Sequence, residues 1–320
     1  DLRMSRGLGD VYKRQDIVRR IIAEHPRRNA VRIIDQKHNQ GTGAARNAIV
    51  TYATGKYLFT MDCDDVIIPD CIEILYRKMV EHPVDFVAAS FVRKDVQGNI
   101  YPGGCQYDDV LVEEGDYAVA QYRYGQGKNI FVATWNKLYR TDFLRKNKIC
   151  CVPHYLIDDP WFTYQVIIRA RSCRLISDCT LFFTYNPLSV TSVKEQDGYT
   201  TFLGEQYLGT QRLKADYIYS LAEQPFYPGA LVDLLKMSLY HLYRVYASSK
   251  IAESEKEYFL QSFLEIRFLS PRHWNFMSKN TYKPLPLLTF YALPMMVKKG
   301  LVKSIVRVDL RSILHRWFHF

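Results

Sequence analysis

Residues 57–65 read Tyr-Leu-Phe-Thr-Met-Asp-Cys-Asp-Asp. The run 57–61 shows no polar alternation, which predicts a strand covered on both faces. The carboxyl end of such a strand is where open α/β sheets bind ligands. On extended chain Asp62 and Asp64 share a face. Three crowded carboxylates repel one another unless a cation compensates them. A hard divalent ion takes one or two carboxylate oxygens and completes its shell with water and phosphate oxygens. The stretch therefore predicts a metal–diphosphate site, with an acidic loop capping the next helix as the alternative. An EF-hand starting at Asp62 fails, because Val66 and Ile67 stand where a ligand and the invariant glycine belong. A D-x-D phosphatase remains a competing class, although Val66 replaces the threonine of its D-x-D-x-T pattern.

Outward from this stretch, helix and strand signals alternate. Ile17, Val18, Ile21 and Ile22 recur at helical spacing up to Pro26. VRIID (31–35) reads as a β-branched strand and GAARNAIVTYAT (43–54) as a helix closed by Gly55. Pro69 opens a helix that Pro83 ends, and VDFVAASFV (84–92) is the next strand, with a turn at Gly98-Asn99. TWNKLYR (134–140) reads as a strand, TDFLRKN (141–147) as a short helix, and 158–170 as a helix with Pro160 in its first turn. LISD (175–178) and LFFTY (181–185) read as two short strands. Beyond about residue 199 the pattern is helical and rich in Tyr and Leu. This order predicts an α/β fold, a mostly parallel sheet flanked by helices, followed by a helical C-terminal region.

The motifs around the acidic turn are ordered. Asn39, Gly41, Ala45, Arg46 and Asn47 give N-x-G-x-x-x-A-R-N, followed by A-x-G-K-Y (53–57), the apolar strand, D-x-D-D and then Pro69-Asp70. Further on come Trp135-Asn136-Lys137-Leu138-Tyr139 with Phe143-Leu144, Asp158-Asp159 with Phe162, and Tyr185 with Ser189 and Thr191. This set, spread over 16–192, resembles the family 2 glycosyltransferases of GT-A fold. The resemblance implies an inverting transfer of sugar from a nucleoside diphosphate donor, UDP by family habit, to an acceptor hydroxyl. It implies Asp159 as catalytic base, Asp64 and Asp62 as ligands of Mn2+ or Mg2+, and Asn39, Gly41, Arg46, Asp62 and Asp65 on the donor side. Trp135, His154, Asp158 and Trp161 are the acceptor-side candidates. Asp158 stands where the family usually has Glu, so its reach is shorter. The family's opening strand–helix–strand unit has no counterpart here, so the fold is expected to lack it.

Residues 1–15 fit no period and are read as a non-native leader, with a basic arm as the alternative. The expected divisions are 16–198 for the catalytic domain, 199–280 for the helical region and 281–320 for a basic amphipathic tail. Of the net charge of +10, the leader carries +2 and residues 281–320 carry +6, leaving the body nearly neutral. That distribution argues against a nucleic-acid binder and for a tail partner such as an anionic membrane surface. A non-catalytic peripheral membrane protein is the third class. From Leu301 to Phe318 the apolar residues share one helical side, while Lys303, Arg307, Arg311, His315 and Arg316 occupy much of the other. The seven cysteines, at 63, 71, 105, 150, 151, 173 and 179, form no C-x-x-C pair and read as reduced thiols. No apolar run reaches 18 residues and no secretory signal is visible. The expected location is cytoplasmic, peripheral on the membrane's inner face, with a glycan or lipid-linked glycan as acceptor.

Overall fold

The structure is a computed structural model that describes residues 15–62, 65–95, 97–155, 157–185, 198–266, 289–290 and 292–307. Asp64, Ser189, Thr191, Trp317 and nearly all of the leader lie outside the described residues. The chain divides into two compact units, 1–39 and 40–320. In the first, helix α1 (15–24) leads to a 3-10 turn at Arg28–Ala30, and Arg19 pairs with Asp35 at 3.6 Å. Residues 31–35, expected as a strand, run extended without a ladder and expose Val31, Ile33 and Ile34. A strand exists as one half of a hydrogen-bonded ladder, and none of the described strands forms a ladder with this segment.

The second unit is built on a seven-stranded mixed sheet. Its strands are β1 (Tyr57–Phe59), β2 (Val66–Ile67), β3 (Phe86–Asp95), β4 (Ile100–Cys105), β5 (Val110–Val112), β6 (Lys137–Arg140) and β7 (Cys173–Tyr185). The order is β1-β6-β3-β7-β2, with β4 on β3 and β5 on β7. β3 and β7 pair in parallel. β1 and β3 both run against β6, so β1, β3 and β7 share one direction and carry most of the strand residues. The other four strands run the opposite way.

β3 shows why the sheet is central. Phe86 and Ala88 belong to one core and Val87 and Ala89 to another, as the period of two requires. The smaller core lies under α3 (Cys71–Glu81), whose Cys71, Leu75 and Met79 are fully buried at i, i+4, i+8. The larger core runs from the opposite face through α6 (Asp159–Arg169) into the C-terminal helices. α2 (Gly41–Tyr52), α4 (Ala118–Ala120, continuing as a π turn to Gly125) and α5 (Thr141–Lys146) complete the body.

Segments 175–178 and 181–185 are parts of one strand rather than two. Opposite β3, the register passes from Ala89↔Ile176 to Ser90↔Cys179 to Phe91↔Leu181. The polar Ser177-Asp178 is thus a bulge in β7, and Asp109 accepts hydrogen bonds from the Ser177 N–H and hydroxyl.

After residue 198 the chain forms α7 (Thr201–Tyr219), α8 (Tyr227–Ala247), α9 (Glu253–Leu264) and α10 (Met295–Arg307). α10 rests Val302 and Lys298 on the body, while Lys303 pairs with Glu257 and Lys299 donates to Gln261. Its outer side exposes Met296, Val297 and Leu301. Among the described residues, no helix is long and apolar enough to cross a membrane.

Candidate active site

Residues of α2 and its N-cap Gln40 meet the segment 150–159 in different ways. At Gly43 a Cβ would come within 2.7 Å of the Val152 carbonyl oxygen and 3.0 Å of Cys151 Cβ, so the segment needs glycine to lie this close. Asn47 clamps the same segment through its amide. Its Nδ2 donates to the Cys151 carbonyl at 2.9 Å, and its Oδ1 accepts the Cys151 N–H at 2.8 Å. At the start of the helix, the His154 N–H donates to the Gln40 carbonyl at 2.8 Å. On the other side of the segment, Gln206 Nε2 of α7 donates to the His154 carbonyl, and the Tyr155 hydroxyl occupies the space that a side chain at Gly209 would need.

Arg46 gathers the carboxylates that this docking brings together. Its Nη1 lies 2.6 Å from Asp158 Oδ1 and 3.2 Å from Asp159 Oδ1, and its Nη2 lies 3.0 Å from Asp62 Oδ1. The three acids form a gradient from interior to solvent, with side-chain exposures of 3% for Asp158, 29% for Asp159 and 41% for Asp62. Asp158 is therefore an internal strut, whereas Asp159 and Asp62 can still reach a ligand. Burial works against the Arg46 charge, but Asp159, Asp158 and Asp62 outweigh it and hold the guanidinium above its usual pKa. Burial pushes the Asp159 carboxyl up; Arg46 pulls it back and Asp158 pushes it further up. Asp159 Oδ1 also accepts the Thr134 N–H at 3.1 Å. Asp159 is the first residue of α6, where the exposed helix N–H groups favour an anion.

The other candidates are placed as follows. Asp65 is buried, and its Oδ1 accepts the Thr184 N–H at 3.3 Å, which fastens the acidic turn to β7. Trp135 is a core residue, stacked on Phe183 at 5.5 Å with Phe91 edge-on at 4.8 Å. Trp161 is likewise buried, between Tyr164 and Tyr217. Expected beside the acceptor, both rings have aromatic neighbours of the protein packed against them. His154 adopts a left-handed backbone (φ 65°) and contributes its N–H and carbonyl to the loop. Gly41 opens α2 with φ 84°, and Asn39 ends the first unit. Among the described residues, no group of three or more His, Cys, Asp or Glu is placed to hold a metal.

Sequence reasoning gave no role to Gly43, Asn47, Thr134 or Lys137. For Lys137 there was a signal, its place within the Trp135–Tyr139 motif. It is buried, and its ammonium donates to the carbonyls of Ala133 (2.7 Å) and Phe131 (3.1 Å).

Residues 13–147 match the family model described as glycosyl transferase family 2. The chain is 32% identical over 74 residues to the glycosyltransferase GlyG of Streptococcus pneumoniae, covering 23% of this chain and 25% of that protein. It is 23% identical over 190 residues to the uncharacterized glycosyltransferase EpsJ of Bacillus subtilis, covering 58% of this chain and 54% of that one. The matched regions thus span about a quarter and about half of those relatives. Among solved structures, S. aureus TarS 1-349 in complex with UDP-GlcNAc is similar in fold, with a TM-score of 0.59 at 17% identity, over 91% of this chain and 79% of that one. Another TarS crystal structure gives 0.56 at 17% identity, over 89% and 47%. The α/β body is therefore that of a GT-A fold like TarS, and residues 13–147 of it carry the match to glycosyl transferase family 2.

Proposed function

We propose that this chain moves a sugar from a nucleoside diphosphate sugar to an acceptor hydroxyl with inversion, in the assembly of a surface polysaccharide or similar glycan. The observation that carries the reading is the Arg46 cluster. It ties Asp159, from the start of α6, to Asp62, from the turn after β1, through one guanidinium. A single displacement needs a base on the acceptor side and charge compensation on the leaving diphosphate, and the cluster has a group suited to each. Asp159, raised by burial and still partly open, accepts the acceptor's proton as the oxygen attacks the anomeric carbon. Arg46, cationic at every working pH, orients Asp159 and faces the donor side. Asp158 fixes the guanidinium from the interior.

The donor chemistry suits a divalent ion. Asp62 offers a half-open carboxylate at the strand end, and a hard cation with phosphate oxygens needs no more than one or two such groups. Asp62 and Asp64 would hold Mn2+ or Mg2+, which neutralises charge on the departing diphosphate when bound. The TarS crystal structures hold UDP-GlcNAc and UDP, which supports a UDP-linked donor as the first to try. Catalysis is assigned to residues 16–198, with 199–280 as a helical support and 281–320 as a tail lying on an anionic membrane, where a lipid-linked acceptor would reside. The outward Met296, Val297 and Leu301 support the membrane contact. Co-sedimentation with anionic liposomes tests it, and binding unchanged on deleting 281–320 would reject it.

The decisive experiment on the reaction pairs nucleotide binding with turnover. Mn2+-dependent thermal stabilisation by UDP should survive Asp159→Ala, while release of UDP from the nucleotide sugar with acceptor should fall at least about a hundredfold. Normal turnover in the mutant would remove Asp159 from the base role.

A further inference from the structure

We propose that Lys137 is a positioning residue for Asp159, acting through the single peptide unit that joins Ala133 to Thr134. At one end of that unit the Ala133 carbonyl accepts the Lys137 ammonium at 2.7 Å. At the other end the Thr134 N–H donates to Asp159 Oδ1 at 3.1 Å. A cation thus sits on the oxygen of a peptide group and a carboxylate on its nitrogen. Charge at either end polarises the peptide so that each hydrogen bond strengthens the other. The unit is also fixed in orientation. The Phe131 carbonyl accepts from the same ammonium at 3.1 Å, and the Thr134 carbonyl accepts the hydroxyls of Thr60 and Tyr139 at 2.5 and 3.0 Å.

The reason for a lysine in a buried strand follows from this arrangement. β6 packs Leu138 into one core and Tyr139 into the other, and a buried ammonium without carboxylate contact is costly. Here two carbonyls solvate it. Burial lowers its pKa to about 8, with Asp159 and Cys105 working against the shift, so the group is largely cationic at neutral pH. The charged and titratable groups around Asp159 are then Arg46 from α2, Asp158 beside it, Cys151 from the docked segment, and Tyr139 and Lys137 from β6. Arg46 holds the carboxylate from α2, 3.2 Å from its Oδ1. The Lys137–peptide unit sets the other hydrogen bond to the same oxygen, and so the direction in which the base presents its remaining oxygen.

The catalytic consequence rests on the sugar-transfer reading, but the link itself can be measured without turnover. The full chain labelled with 13C at aspartate carboxyls is titrated by NMR, with Asp159→Asn identifying the resonance. In Lys137→Met the Asp159 midpoint should rise by on the order of half a pH unit or more, because losing a nearby cation disfavours the carboxylate. The exposed Asp95 should not move. Lys137→Gln, which keeps a donor for the Ala133 carbonyl without the charge, should give the same direction and serves if the methionine variant melts too low. In the kinetic arm, kcat for UDP release should fall about tenfold, with donor KM changed less than about twofold. The acid limb of its pH profile should move upward by the NMR shift. An unmoved Asp159 midpoint in a folded variant overturns the proposal. So does a rise in donor KM with kcat preserved. A wild-type protein that transfers or hydrolyses no nucleotide sugar would instead reject the functional reading, and the NMR arm would still decide the Lys137–Asp159 link.

Discussion

Two buried aspartate sites in this protein are solved in opposite ways. Asp85, at the entry to β3, has one oxygen that accepts the Arg171 N–H at 2.7 Å and the Ser172 N–H at 3.4 Å, while Arg140 lies 3.7 Å from the other. It joins the starts of two parallel strands, and backbone donors meet it where it sits. Asp158 and Asp159 instead share one guanidinium with Asp62. That group carries more negative charge than its arginine neutralises. The first arrangement is finished as it stands, whereas the second has capacity left for a proton or a cation. Surplus charge of this kind is what the proposed proton transfer and donor binding would draw on.

Removing the cation should expose this difference most. Arg46→Met leaves Asp158 buried opposite two other carboxylates, and should cost about 3–5 kcal/mol, measured by urea unfolding at pH 7. Asp159, already raised by burial, then also loses the guanidinium that pulls it back, so the loss should shrink as pH falls through its folded-state pKa. Asp85→Ala should cost less, about 1–3 kcal/mol, by orphaning the N–H groups of Arg171 and Ser172. Turnover per folded molecule should not change, which is what separates the two sites. Asn47→Ala lies in the same range of about 1–3 kcal/mol for its two lost backbone partners. Unlike Asp85→Ala, it should lower turnover as well, since the segment it clamps leads to Asp159.

The smallest effect should be a gain. Asp159 has a folded-state pKa raised by burial, so keeping it charged opposes folding at pH values above that pKa, and the opposition is absent below its unfolded value. Asp159→Asn should therefore raise the melting temperature at pH 7, by a shift equivalent to about 0.5–1 kcal/mol. The advantage should disappear toward pH 4. A destabilised asparagine variant at neutral pH would place Asp159 in the same class as Asp85.

Much of the fold is legible where one local rule dominates. α3 is bracketed by Pro69 and Pro83, α6 carries Pro160 in its first turn, and β3 opens on the apolar run Phe86–Ala89. Reading fails where the outcome depends on a distant partner. Residues 31–35 have strand composition but no ladder, and the break expected between the strands 175–178 and 181–185 is an irregularity within one strand that only its pairing with β3 holds together. β4, with Gly103 and Gly104 in it, owes its existence to β3. The site divides the same way. Arg46 and its acids are recognisable as a set from their motifs. The peptide between Ala133 and Thr134 is not, because its role depends on carbonyl and N–H directions that no side-chain pattern records.

The meeting of Tyr155 with Gly209 limits how this protein can be re-engineered. The segment that carries Asp158 and Asp159 is gripped by α2 through Gly43 and Asn47, and by α7 through Gln206 and the notch at Gly209. The C-terminal helices are thus one jaw of the clamp that aims Asp159, the proposed base. A chimera that grafts another helical region after residue 200 would keep every recognisable motif and still mis-set the base, unless the graft brought a small residue opposite Tyr155.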